Sequence, residues 1–207
     1  MDSYFRWYGL PGSVVLTALL SALALILALC NPTPVRWVCF AAMALSSVGD
    51  LFLARFGGLD RIFPNYFVIG AGFFMAAHIL YILCYGMKIH GSGALFWNGG
   101  AIAAIAIGVI IAFLLCRLAM STGNMSVLLL ILVYALIIVG NCMTVFSYAW
   151  STHSFFSFLA VVGVISFFAS DLVIGLGIAG DIHQYDFLIW WLYPVGQVLL
   201  IFGAAFS

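Results

Sequence analysis

Apolar residues run along this chain in blocks of about 20, the length an α-helix needs to cross a hydrocarbon layer, with short polar knots between them. The blocks predict helices near 13–30, 36–54, 66–86, 94–116, 125–149, 155–177 and 187–206. The knots carry turn chemistry: "NPTP" at 31–34, "RFGGLDRIFPN" at 55–65, "KIHGSG" at 88–93, "STGN" at 121–124, "STHS" at 151–154 and "GDIHQYD" at 180–186. No connector is long enough to separate two domains. The pattern therefore predicts one all-α transmembrane domain over 1–207, a polytopic helix bundle of seven spans.

Composition fixes the solvent. Hydrophobic residues make up 67% of the chain and charged ones 6%, with no glutamate, which excludes the ordinary soluble classes. The formal net charge is zero and no basic run exists, so neither nucleic acid nor an anionic membrane surface is the expected partner. The expected contact with the bilayer is insertion. Five cysteines, Cys30, Cys39, Cys84, Cys116 and Cys142, lie one to a block without paired spacing and read as small packing residues rather than a disulfide frame or metal site. "LALC" at 27–30 has the outline of a lipoprotein cleavage box. Leu29 occupies the position that wants Gly or Ala, and further spans follow, so the first block reads as a retained helix. Arg6, Arg55, Arg61 and Arg117 fall on the N-terminal side of the spans against Arg36 and Lys88 on the other, which favours a cytoplasmic N-terminus.

Against this background the polar residues inside the blocks stand out. Asp50 and Asp171 each sit within an apolar run, in the half of the bilayer nearest the N-terminal side. An unpaired carboxylate there costs several kcal/mol, and an ionisable group inside a membrane span is a functional candidate by default. His78 comes near mid-membrane on the third span, with Tyr81 and Tyr85 on its face at i+3 and i+7. Tyr193 and Gln197 lie one turn apart on the seventh, Ser170 precedes Asp171, and Tyr134 and Asn141 are seven apart on the fifth. Most of these groups can converge on one buried pocket. For Asn141, Tyr134 and Ser46 interhelical hydrogen bonding is the favoured reading, and His78 alone reads equally well as a satisfied core imidazole. Asp60, Asp181, Asp186, His90, His153 and His183 fall in the connectors, and no histidine spacing suggests zinc.

"NPTP" before the second span, "GDLFL" ending it, "GAGFFMAAHILY" in the third, "FFASDL" in the sixth and "YPVGQVLL" in the seventh together resemble the YhhN-like membrane proteins, whose characterised members are lysoplasmalogenases. The chain carries Asn31-Pro32 where the family has Lys-Pro, and its seven blocks compare with the eight spans described for the family. The resemblance implies hydrolysis of the vinyl-ether bond of a lysoplasmalogen to a fatty aldehyde and a glycerophospho-alcohol, without a cofactor. It also implies a lysophospholipid substrate and an integral multi-pass location, the inner membrane in a bacterium.

Two carboxyl groups suit that reaction. A vinyl ether opens by protonation of its β-carbon to an oxocarbenium ion, water adds at the α-carbon, and the hemiacetal collapses. One protonated acid and one ionised carboxylate are needed, and two aspartates in a low-dielectric pocket can divide those states between them. The reading is therefore Asp50 and Asp171 as the acid–base pair, with His78 orienting one of them or the water. Tyr81, Tyr134, Asn141, Ser170, Tyr193 and Gln197 are the candidate pocket groups, and Arg55 and Arg61, just after Asp50, are candidates for the phosphate. The rival is a small carrier or proton-coupled transporter in which the same aspartates form a relay. Such carriers favour broken helices, and Pro194 alone offers a break.

Overall fold

A computed structural model gives the fold and describes residues 6–7, 10–91, 93, 97–120, 125–180 and 182–206. In chain order the helices are α1 (Gly12–Cys30), α2 (Pro34–Leu53), the four-residue α3 (Leu59–Ile62), α4 (Tyr66–Gly91), α5 (Gly99–Met120), α6 (Met125–Thr152), α7 (Phe155–Gly180) and α8 (Ile189–Phe206). Six segments are long and apolar enough to cross a membrane: α1, α2, α4, Leu129–Thr152 of α6, Phe155–Gly177 of α7, and Asp186–Phe206 leading into α8. The apolar stretch of α5, Gly99–Leu114, is shorter. The all-α, multi-pass class expected from the pattern is the class observed, with seven long helices and no eighth among the described residues.

Several boundaries move, each for a local reason. Instead of ending near 86, α4 runs to Gly91, so Lys88 and His90 lie in its last turn, where cations favour the negative end of the helix dipole. Conversely, α5 starts later than expected, at Gly99, because Asn98 caps it: the Asn98 Oδ1 accepts from the Ala101 N–H at 3.2 Å. The connector after α2 is built rather than loose. Arg55, Gly57 and Gly58 all take left-handed backbone (φ 50°, 63° and 81°) and turn the chain into α3, which places Asp60 in a helical first turn.

The chain divides into two compact bodies, one ending at Cys84 and the other starting at Tyr85. In the first, "NPTP" works as a helix stop and start. Thr33 is the N-cap of α2, its Oγ1 accepting from the Arg36 N–H at 3.3 Å, and Pro34 occupies the first turn, where its missing N–H is harmless. Arg36 turns back, and its Nη1 donates to the carbonyls of Leu27 at 3.1 Å and Asn31 at 3.3 Å. The C-terminal carbonyls of α1 thereby gain a charged donor. Along the α1–α2 seam the Ser47 Oγ donates to the Thr17 carbonyl at 2.8 Å and lies 2.7 Å from the Ser21 Oγ.

Burial in α1 follows size rather than polarity. Thr17, Leu20, Ala24 and Ala28 are buried, while Leu19, Ile26 and Leu29 are exposed. In lipid both faces can be apolar, so small residues mark the face where helices approach. The same device joins α2 to α4. A Cβ on Gly70 would meet the Gly49 carbonyl at 3.2 Å, and one on Gly49 would meet the Phe74 ring at 2.8 Å.

In the second body α5 packs on α6 through Gly100, which faces the Phe146 carbonyl, and Gly108, which faces Val139. Asn98 adds a polar key here, its Nδ2 donating to the Ser147 carbonyl at 3.0 Å and the Ser147 Oγ at 2.8 Å. Reciprocal bonds between Ser154 and Ser157, each backbone N–H on the other's Oγ at 3.1 Å, start α7. α7 and α8 cross at Gly163 and Gly196. There a Cβ on Gly196 would lie 2.8 Å from the Phe167 nitrogen and 2.9 Å from the Gly163 carbonyl. Tyr85 enters the same seam, and its hydroxyl donates to the Leu200 carbonyl at 2.7 Å.

Candidate active site

The glycine crossing of the first body sets the position of Asp50. Gly49 draws α2 onto α4, and Asp50, one residue on, is left 7% exposed, four residues before the helix ends at the Ala54 N–H···Asp50 carbonyl bond of 2.8 Å. On α4, His78 is 1% exposed and Tyr81 fully buried. Tyr81 has Cys39 and Cys84 within electrostatic reach. Asp50, His78 and Tyr81 are thus inside the protein, not on its lipid-facing surface. Burying a carboxyl and an imidazole in apolar helices is a standing cost that packing alone does not require.

Arg55 and Arg61 lie outside the span, both exposed, in the turn that follows Asp50. The Arg55 guanidinium stands over the Tyr66 ring, 4.9 Å from its centroid, a cation–π contact that holds the side chain at the mouth of α4. Tyr66 was not among the residues singled out from sequence. An aromatic at the first position of a span is a usual interfacial anchor, and nothing in its spacing pointed to Arg55.

In the second body Asp171 sits on α7, half-buried, and the Tyr134 hydroxyl of α6 donates to its Oδ2 at 3.2 Å. Cys142, also on α6, is within electrostatic reach of the same carboxyl. Asn141 and Ser170 are fully buried. The Ser170 Oγ has no hydrogen-bond partner among the described residues. On α8, Gln197 is fully buried and Tyr193 nearly so, with the Tyr193 ring edge-on to Phe167 at 5.4 Å between centroids. Of the sequence-derived candidates, Tyr134 and Asp171 are brought together by a direct bond. Cys142 is the neighbour that sequence reasoning missed, because a cysteine in a leucine-rich helix carries no signal of its own.

The connector residues separate into two kinds. The Asp186 Oδ2 pairs with the His183 Nδ1 at 3.2 Å, and His183 folds against Gly177 near the end of α7. His90 and His153 are exposed, and Asp181 lies outside the described residues. Among the described residues no three His, Cys, Asp or Glu side chains come together as a metal-binding group.

The YhhN family model matches residues 12–204, α1 to the last turn of α8. The chain belongs to the YhhN family. A curated relative, the lysoplasmalogenase homolog of Dictyostelium discoideum, is 27% identical over 169 residues. That match takes in 70% of this chain and 51% of the relative, so it spans about half of the relative's length. No solved structure matches. Family membership and six membrane-length apolar helices make this YhhN protein an integral multi-pass membrane protein.

Proposed function

We propose that this YhhN protein is a membrane-embedded hydrolase that cleaves the vinyl-ether bond of lysoplasmalogens by aspartate acid–base catalysis. The observation that supports the reading is that each of the two bodies carries a carboxyl inside an apolar helix, Asp50 buried in α2 and Asp171 on α7 under the Tyr134 hydroxyl, in a chain related to a protein named lysoplasmalogenase homolog. One carboxyl delivers a proton to the β-carbon of the alkenyl chain. The other stabilises the oxocarbenium ion and takes a proton from the water that adds at the α-carbon. His78 orients one carboxyl or the water, and Tyr81, Asn141, Ser170, Tyr193 and Gln197 supply further polar contacts. A single-chain lipid suits a helical membrane enzyme, because its tail can enter between helices while its phosphate stays at the interface. Arg55 and Arg61 are placed by sequence next to that interface and are the proposed phosphate ligands.

The test is cleavage by purified protein in detergent micelles, with no sealed compartment and no ion gradient. Release of fatty aldehyde is expected, and a carrier would give none. Isotopes then report the mechanism. In heavy water the aldehyde should gain one deuterium at the carbon next to the carbonyl, and in 18O-water the freed glycerol hydroxyl should keep its unlabelled oxygen. Label in that hydroxyl would mean attack at the glycerol carbon and would overturn the vinyl-ether route.

A further inference from the structure

We infer that Tyr134 is the positioning residue of Asp171, a role that rests on the proposed vinyl-ether hydrolysis. The Tyr134 hydroxyl donates to the Asp171 Oδ2 at 3.2 Å across the α6–α7 seam. A phenol brings one proton to that contact, so the carboxyl oxygen facing it accepts, and the bond fixes how the carboxyl is turned. Tyr134 is a rigid donor with two side-chain torsions, mounted on a helix, and Asp171 is on the neighbouring helix, which Gly163 and Gly196 lock against α8. Both partners are thus held by helices rather than loops, which favours a fixed geometry at the carboxylate. Next to Asp171 in the chain the Ser170 hydroxyl is fully buried with no partner among the described residues.

The experiment uses the full-length protein in detergent and an alkenyl-lysophospholipid. Tyr134→Phe keeps the ring and removes the donor, and it is expected to lower kcat about 10- to 100-fold, the range for a hydrogen bond to a charged group, with KM unchanged. Asp171→Glu supplies the second arm. It displaces the carboxylate by one methylene from Tyr134, so adding Tyr134→Phe to it should cost little further rate, whereas two independent losses would multiply. Wild-type activity in Tyr134→Phe overturns the inference. So does a raised KM with kcat intact, which would make Tyr134 a substrate ligand, or a full multiplicative loss in the double variant. Absence of aldehyde release from the wild-type protein is a different result, since it removes the proposed reaction itself.

Discussion

Asp50→Asn and Asp171→Asn are each expected to yield a folded, membrane-inserted protein that releases fatty aldehyde about 10²–10⁴-fold more slowly than wild type, the usual weight of a general acid or base. Asparagine keeps the size and a carbonyl oxygen of the side chain, so Tyr134 retains an acceptor at position 171 while the exchangeable carboxyl proton is gone. The expectation is specific to chemistry: yield, monodispersity and thermal midpoint in detergent should stay near wild type. Near-normal turnover in either variant would sink the acid–base assignment. His78→Ala should fall between these variants and wild type if the imidazole orients. Complete loss with the fold intact would move His78 into the reacting set.

Gly196→Val should have the largest effect on the fold itself. At this position a Cβ would sit 2.8 Å from the Phe167 nitrogen and 2.9 Å from the Gly163 carbonyl, both backbone atoms that no rotamer change can move aside. Overpacking of this kind costs about 1–3 kcal/mol, so α7 and α8 must separate or shift. The expected readout is a clear drop in the thermal midpoint or loss of monodisperse protein. Gly72→Ala and Gly86→Ala make the control pair. Neither position has a neighbouring atom within 4 Å of the added methyl, and substitution there should change stability by no more than about 1 kcal/mol, the helix-propensity difference of Gly and Ala. Equal damage at Gly72 and Gly196 would mean that helix contact at Gly163 and Gly196 does not hold the second body.

Hydropathy made the helices legible because in lipid the backbone must satisfy itself, and an apolar block of sufficient length has no other way to do so. The α4 end was misplaced near 86 because Lys88 and His90 look like loop residues to hydropathy, although a long side chain in a last helical turn can keep its head at the interface. The start of α5 moved to Gly99 because an asparagine cap is a hydrogen-bonding event, not a change of polarity. Legibility ended at helix contacts. The α1 seam, with Ala24 and Ala28 inside and Ile26 outside, is invisible to any scale that scores both as apolar. At the candidate site, Asp50, His78, Asp171 and Gln197 declared themselves by being polar in apolar blocks. The Tyr134 bond to Asp171 joins residues 37 apart in the chain, and no spacing rule reaches across that interval. Cys142 and Tyr66 were silent because each is an ordinary residue for its environment.

A seam written in side-chain volume has a weakness that one written in polarity lacks. Turning an apolar helix about its own axis changes nothing in its transfer to lipid, so the hydrocarbon offers no restoring torque. Clashes and gaps resist, and so do the few polar atoms that reach from one helix to the next. Ser47 on the Thr17 carbonyl, Asn98 on Ser147 and Tyr85 on the Leu200 carbonyl act in that sense as indexing pins. They set the angular register of their helices, and with it the direction in which every other side chain on those helices is aimed.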